Sequence, residues 1–311
     1  MRYWLLILTV ITLSKSIAQQ QYKKMFSFVN ENDVYLFQQK DGYYTNGLFF
    51  AYNVASVANG QKQIDRFELG QLMYTSNNKR AVMDGDGNID RPFCGYLYAK
   101  YTKDKCITTD ALLSYSASLG VTGKWSLAQQ LQQSYHKLIH VKPYPYWETQ
   151  VPNAVGVNAA ASYKTTLLTV LHMVKVVPEM EANMGSFFTN AKAGAYICIG
   201  AFEKNDRTAL FNTNISSNKQ KSSQKYELMF YFNPQLTIQA YNATIQGTLL
   251  YATKGAVVAR PKTFVYRQVS GILVSKDRVS AKAELVFSTK EANTQLSNQR
   301  YGGIHLAYRF N

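Results

Sequence analysis

The sequence predicts an all-β protein: a twelve-stranded antiparallel transmembrane β-barrel with a short helix in an extracellular loop. Three observations predict this class. Apolar and polar residues alternate over stretches of about ten residues, aromatic residues are abundant, and the chain begins with an export signal. The 311 residues include 23 Tyr and 16 Phe. That content is typical of the aromatic girdles that meet the two surfaces of a membrane.

The alternation is clearest in three segments. In 111–122 every second residue is apolar, and the residues between them are mostly Ser, Gly and Thr. Segments 279–288 and 303–310 repeat the pattern, and the last one ends the chain as an aromatic closing strand. A soluble sandwich would show the same alternation. The export signal and the aromatic content favour the membrane.

The same pattern places the strands and their connections. We expect strands near 24–35, 43–55, 64–74, 92–102, 108–122, 150–164, 167–185, 188–203, 226–241, 262–275, 278–289 and 300–310. If both termini are periplasmic, the outward connections are 36–42, 75–91, 123–149, 186–187, 242–261 and 290–299. The polar stretch 204–225 is then an unusually long periplasmic connection, for which the sequence offers no reason.

The N-terminus predicts a cleaved secretory signal over residues 1–18. Arg2 supplies the positive charge, the apolar core runs from Trp4 to Leu13, and Ser16-Ile17-Ala18 is a small-x-small cleavage site. The apolar core is too short to cross a bilayer as a helix, which takes roughly 20 residues. We therefore expect one mature domain, residues 19–311, in the outer membrane of a Gram-negative bacterium.

The net charge of the chain is +15, of which Arg2 and Lys15 belong to the leader. An exported chain does not meet nucleic acid, so the expected anionic partner is phosphorylated surface lipid. The three cysteines are scattered and odd in number. They predict no disulfide framework, although a bridge between Cys94 and Cys106 on adjacent predicted strands stays open.

One segment reads as a helix. Ser126 suits its N-cap and Pro143 and Pro145 end it. Apolar residues recur at helical spacing between these limits: Leu127, Leu131, Tyr135, Leu138 and Ile139. This helix lies in the third outward loop, over the mouth of the barrel, and a simple pore would not need it.

Residues that suit hydrolysis converge on that end of the barrel. Asn32 and Asp33 end the first strand, Thr45 begins the second, and His136 lies on the helix. Imidazole takes protons from water near neutral pH, and carboxylate, amide and hydroxyl oxygens bind a hard cation or an oxyanion. Asn32 and Asp33 point to opposite faces of a regular strand, so both can serve only if the strand bulges or ends there.

Five short segments carry a family resemblance. They are Asn32-Asp33, Tyr44-Thr45-Asn46-Gly47-Leu48, Asp90-Arg91-Pro92-Phe93, Gln132-Gln133-Ser134-Tyr135-His136 and Tyr144-Pro145-Tyr146-Trp147. By these segments, their order and their intervals, the chain resembles the outer-membrane lipid A 3′-O-deacylases over nearly its whole mature length. The resemblance implies a twelve-stranded barrel with its site between the wall and the loop helix. It also implies a calcium cofactor and removal of the 3′-linked acyloxyacyl group of lipid A.

The resemblance implies a role for each matching residue. His136 would be the base that activates water, and Asp33 an acidic partner or calcium ligand. Asn32 and Thr45 would belong to the polar set around the metal and the oxyanion. The basic pair Lys79 and Arg80 would bind the lipid A phosphate.

One position departs from the family pattern. Some members place a glutamate six residues after the histidine, where this chain has Lys142. Lysine does not bind calcium, so we expect weaker metal affinity, with Glu148 as a compensating ligand. A second stretch, 84–90, spaces its oxygens like the opening of a calcium loop but lacks that loop's sixth-position glycine and its late glutamate.

Two other functions stay open at the sequence level. The first is another surface lipid hydrolase, of the phospholipase kind. The second is a barrel without catalysis that serves as a channel or scaffold. No Gly-x-Ser-x-Gly elbow is present, so a hydrolase would use water as its nucleophile rather than a serine. We expect a monomer.

Overall fold

The computed structural model describes residues 22–36, 42–77, 89–138, 140, 145–217, 226–249 and 256–311. The predicted signal 1–18, the basic pair Lys79 and Arg80, residues 84–88 and Lys142 lie outside these ranges. Within them, no helix is long and apolar enough to cross a membrane.

The protein is a closed antiparallel barrel. Its strands are β1 (Lys24–Asn32), β2 (Tyr43–Ala58), β3 (Gln61–Thr75), β4 (Cys94–Cys106), β5 (Ala111–Thr122), β6 (Ala154–Thr165), β7 (Leu168–Val170), β8 (Val174–Gly185), β9 (Phe188–Ala201), β10 (Tyr226–Asn242), β11 (Phe264–Lys276), β12 (Val279–Ser288) and β13 (Gln299–Phe310). Apart from β6 and β7, each strand pairs with its neighbours along the chain, and β1 pairs with β13. Both β6 and β7 pair with β8, so they share one strand position. The barrel therefore has the predicted twelve strands.

The prediction for β7 and β8 needs correction. The predicted single strand 167–185 contains a hairpin turn, in which Met173 N–H donates to Val170 C=O at 3.0 Å. Leu171 and His172 take positive φ values of 48° and 55°, the backbone of a tight hairpin turn. That turn normally uses Gly or Asn, and neither occurs here. No residue pattern in the sequence indicates this turn, because the segment is an apolar run without turn residues.

The alternation produces the expected two faces. In β10, Leu228 and Phe230 are exposed on the outer wall, whereas Glu227 and Met229 are buried toward the lumen. Because the outer wall is apolar and the inner wall mixed, the exposed face suits lipid chains. The lumen is filled by side chains and by a segment of the chain itself.

That segment, 202–217, is the lumen plug. It lies between β9 and β10 and enters the barrel at the end that carries the short turns, which we call the turn end. Lys62 Nζ donates to Asp206 C=O at 2.6 Å and to Thr213 C=O at 2.8 Å. The Glu227 carboxylate accepts from Thr208 Oγ at 2.6 Å, and Leu210 packs in the main apolar cluster of the lumen. Most of the polar stretch that the sequence left unexplained thus fills the barrel.

The opposite end, the loop end, carries most of the longer connections, although 186–187 between β8 and β9 is two residues long. Among the described residues, two α-helices begin there: α1 (Ala128–Leu138) between β5 and β6, and α2 (Ala243–Gln246) after β10. The helix predicted in the third outward loop is confirmed as α1. It ends before Pro143 and Pro145.

The cysteine bridge left open above is wrong. Cys94 and Cys106 are the first and last residues of β4, which puts them roughly 40 Å apart at about 3.4 Å per residue. A disulfide needs Cα atoms within about 7 Å. All three cysteines are free and buried.

Candidate functional site

Helix α1 rests on the tops of β3 and β4. Gln71 of β3 donates from Nε2 to Ser126 C=O at 2.6 Å. A Cβ at Gly95 of β4 would collide with Ser126 and Ala128, so only glycine lets the helix start so close to the wall. Ser126, expected as the N-cap, accepts a long bond from Ala128 N–H at 3.4 Å. The helix is thus seated at its N-terminal end.

The buried face of α1 is polar. Ala128, Gln132 and His136 are buried, each one turn after the last. The apolar residues that identified the helix, Leu131 and Tyr135 among them, are exposed. The catalytic candidate therefore points into the protein, and the apolar stripe points away from it.

A buried tryptophan holds the middle of α1. Trp147 lies in the short helical turn Pro145–Thr149 and is 0% exposed. Its Nε1 donates to Gln132 Oε1 at 2.8 Å, and its ring packs edge-on against Phe93, with centroids 5.4 Å apart. Because Gln132 precedes His136 by one helical turn, this bond fixes the rotation of the helix beside His136.

Asn32 and Asp33 lie where β1 ends. The prediction that both side chains serve the site required such a position, because in a regular strand they would point to opposite faces. β1 stops at Asn32, and Asp33 begins a short 3-10 helix, Asp33–Leu36. Asn32 Oδ1 accepts from Val34 N–H at 2.8 Å. The buried Asp33 carboxylate accepts from Gly42 N–H at 2.9 Å. The turn of the chain here removes the alternation that would have set the two side chains on opposite faces.

Thr45 lies in an irregularity of β2. The pairing of β2 with β3 shifts register between Tyr44 and Asn46, which leaves Thr45 as the extra residue. A bulge of this kind re-aims a side chain. Thr45 Oγ lies 2.7 Å from Thr75 Oγ, and both residues are buried.

Three of the predicted site residues lie in one region of the rim. Asn32 pairs with Asn46 across β1 and β2, so Asn32, Asp33 and Thr45 share the tops of adjacent strands. Helix α1 approaches the same place: burial and the nearby Tyr135 phenol raise the pKa of Tyr35 above its ordinary value. Tyr35 lies two residues after Asp33, and Tyr135 directly precedes His136.

Glu148 does not share this environment. It is exposed, whereas its neighbour Trp147 is buried. The exposure of Glu148 gives no support to its assignment as a metal ligand. The structural residue of this segment is Trp147, which the sequence marked only as part of a family segment.

Asp90 and Arg91 anchor the loops around the site, a role that sequence reasoning missed. The Asp90 carboxylate accepts from Tyr43 Oη at 2.6 Å and from Asn77 N–H at 3.1 Å. Arg91 Nη2 donates to Glu291 at 3.2 Å, and its guanidinium stacks 3.8 Å from the centre of the Tyr74 ring. The buried charges of this motif tie three connections to the top of the barrel.

A further polar cluster lies inside the barrel. Glu284 bonds His305 at 3.0 Å and Tyr231 at 2.5 Å, and Glu31 bonds Tyr44. The ligand atoms of Glu31, Glu284 and His305 lie within 4.8 Å of one another. Because these carboxylates already hold phenol and imidazole partners, the cluster acts as a hydrogen-bonded brace across β1, β12 and β13.

Comparison with known proteins identifies a family and several solved structures of similar fold. The family model described as "Outer membrane protein LpxR" matches residues 5–310. The solved structure of LpxR from Salmonella typhimurium has a TM-score of 0.76 at 20% identity, covering 92% of this chain and 100% of its own. The β domain of the Bordetella autotransporter BrkA has a TM-score of 0.47 at 9% identity, covering 94% and 99%. No curated protein sequence matches the chain.

Proposed function

The chain belongs to the outer membrane protein LpxR family, and we propose that it hydrolyses the 3′-linked acyloxyacyl ester of lipid A at the outer leaflet. One observation carries the proposal. The polar face of α1 turns His136 toward the barrel, at the rim where β1 and β2 present Asn32, Asp33 and Thr45. In this proposal, the base, carboxylate, amide and hydroxyl act together between the wall and the loop helix.

In this proposal, the His136 imidazole accepts a proton from water as the water oxygen attacks the ester carbonyl. Its burial on the inner face of α1 shields it from bulk solvent, and Gln132 and Trp147 keep the helix in register. The proton then passes to the leaving alkoxide. Positioned base catalysis of this kind contributes about 10²–10⁴-fold in rate.

The donor set fits calcium. Asp33 offers a buried carboxylate, and Asn32 and Thr45 offer neutral oxygens, the ligands that a hard cation prefers. These three residues would hold the ion. When bound, calcium would stabilise negative charge that develops on the carbonyl oxygen.

We also propose that Lys79 and Arg80 bind the lipid A phosphates, that residues 1–18 are cleaved on export, and that the protein is a monomer.

The lumen plug favours the enzyme over a channel, because residues 202–217 occupy the barrel interior between Lys62 and Lys282.

Mass spectrometry of lipid A from cells that express the protein tests the proposal. We expect the wild type to remove the 3′-acyloxyacyl group and His136→Ala to leave lipid A intact. His140→Ala is the matched control, since His140 is exposed just beyond the helix and should change nothing. Release of phospholipid chains instead would identify a phospholipase. If the wild type releases no acyl chain from any lipid, the protein is a scaffold without catalysis and the proposal is wrong.

A further inference from the structure

The outer flank of α1 exposes more apolar surface than a loop in water normally does. Trp125 is 52% exposed and Leu138 75%. The other members of this flank, also exposed, are Leu127, Leu131 and Tyr135. Contiguous apolar patches on a protein surface mark contacts with a partner or a membrane.

The flank has a defined direction relative to the site. An α-helix turns by about 100° per residue, so Leu131, Tyr135 and Leu138 centre about 90° from the buried face of His136. The flank on the other side of the buried face carries Gln129 and Gln133. One flank of the helix is therefore apolar and the opposite flank polar, as in helices that lie flat at a membrane surface.

The apolar flank continues the lipid-facing wall of the barrel. On β5 and β6 the outer wall exposes Leu119, Val155 and Val157. β5 leads directly into the short helix Gly123–Ser126, which presents Trp125, and then into α1. Trp125 thus lies six residues after Leu119 of the outer wall, with the exposed Lys124 beside it.

We propose that the apolar flank of α1 is inserted in the outer leaflet, against the acyl chains that surround β5 and β6. Two features suit a lipid surface. Trp125 and Tyr135 are the residue types that collect at the boundary between membrane and water. Lys124 and Lys137, both exposed, flank the apolar patch and can meet anionic lipid headgroups.

This placement bears on how a lipid reaches the site. With the flank in the leaflet, an acyl chain lying along Leu131 and Tyr135 is about a third of a turn of the helix away from His136. The substrate ester would then enter sideways from the membrane rather than from the aqueous loop side. This last consequence rests on the proposed function, whereas the membrane contact of α1 does not.

The two tryptophans of the mature chain make the contact measurable. Trp147→Phe leaves Trp125 as the mature reporter, and Trp125→Phe leaves the buried Trp147 as its matched control. The full mature protein is reconstituted into vesicles whose acyl chains carry bromine, which quenches tryptophan only on contact. We expect severalfold quenching of Trp125 and almost none of Trp147. Trp125 emission that is insensitive to bromine would overturn the proposal, whether or not acrylamide quenches it.

A second measurement avoids the Trp147 substitution. A spin label is placed at Leu138→Cys or at its neighbour Lys137→Cys, with the three native cysteines buried. We expect the label at 138 to be relaxed mainly by oxygen, which partitions into lipid, and the label at 137 by a water-soluble nickel chelate. Equal exposure of both labels to nickel would contradict insertion. Adding His136→Ala should leave both results unchanged, so failure of the enzyme hypothesis and failure of this one are distinguishable.

Discussion

The two ends of the barrel are built by different means. At the turn end, connections such as 59–60 and 277–278 are two residues long, and two lysines hold the lumen plug by its backbone carbonyls. The partly buried Lys62 donates to two such carbonyls, and the buried Lys175 donates to that of Glu203 at 2.7 Å. At the loop end most connections are longer, and they carry carboxylates, hydroxyls and an imidazole instead.

This difference separates stability from chemistry. Backbone carbonyls are present in every residue, so these bonds do not depend on the side chain that the plug carries there, although Thr208 adds a side-chain anchor by donating to Glu227. The loop end depends on individual side chains in fixed places: Trp147 against Gln132, Asp90 against Tyr43, and Thr45 against Thr75. We therefore expect substitutions at the loop end to alter turnover and those at the turn end to alter unfolding.

The largest expected effect compares two histidines. His136→Gln at the loop end should lower the rate of ester hydrolysis by about 10²–10⁴-fold, because it removes the base. His172→Gln in the turn 171–173, at the opposite end, should leave the rate within twofold. Initial rates on purified lipid A in detergent give both numbers. Equal losses in the two variants would contradict the division between the ends.

Removal of calcium should act only at the loop end. Exhaustive treatment with EGTA should reduce hydrolysis to background, and added Ca²⁺ should restore it. Mg²⁺ should not, because it demands shorter, octahedral coordination. The heat-induced gel shift of the barrel should be unaffected, since the bonds of the lumen plug need no ion. Full activity after chelation removes the metal from the mechanism.

At the turn end, Lys62→Met should destabilise the fold without altering turnover. The substitution removes donors from two buried carbonyls, which costs about 1–3 kcal/mol. Lys204→Met is the control, because Lys204 forms an exposed ion pair with Asp110 at 3.4 Å, a type worth about 0–1 kcal/mol. Unfolding in guanidinium measures both. A lower rate of hydrolysis per folded molecule of Lys62→Met would contradict this separation, because it would show that the turn end affects catalysis at the loop end.

The smallest expected effect concerns Lys142. If its position contributes to the metal site, Lys142→Glu should lower the calcium concentration for half-maximal activity severalfold. A lysine can swing its charge outward, which is why the native chain should retain activity. An unchanged calcium dependence would place Lys142 outside the site.

Sequence alone predicted the barrel well, because lipid on one side and a filled lumen on the other impose period-two alternation. The sequence prediction failed for features of the fold that no residue pattern marks. The turn at Leu171 and His172 lacks turn residues, and the plug is held in part through backbone atoms that any sequence supplies.

The candidate site shows the same limit. The spacing of Leu131, Tyr135 and Leu138 identified a helix but not which side of it meets the protein. In water the apolar side is buried, and at a membrane it need not be. The rim residues Asn32, Asp33 and Thr45 were predicted from their strand-end positions and from the family segments, whereas the bond between Trp147 and Gln132 came only from the structure.

The pairing of β1 with β13 also governs the order in which the protein can assemble. Lys24 lies opposite Phe310, so the hydrogen-bonding edge of the first strand has no partner until the last strand has arrived. An open edge of that kind pairs readily with other chains, and contacts between distant parts of a chain form slowly. The polypeptide must therefore be protected from aggregation with other chains between its export and the pairing of β1 with β13.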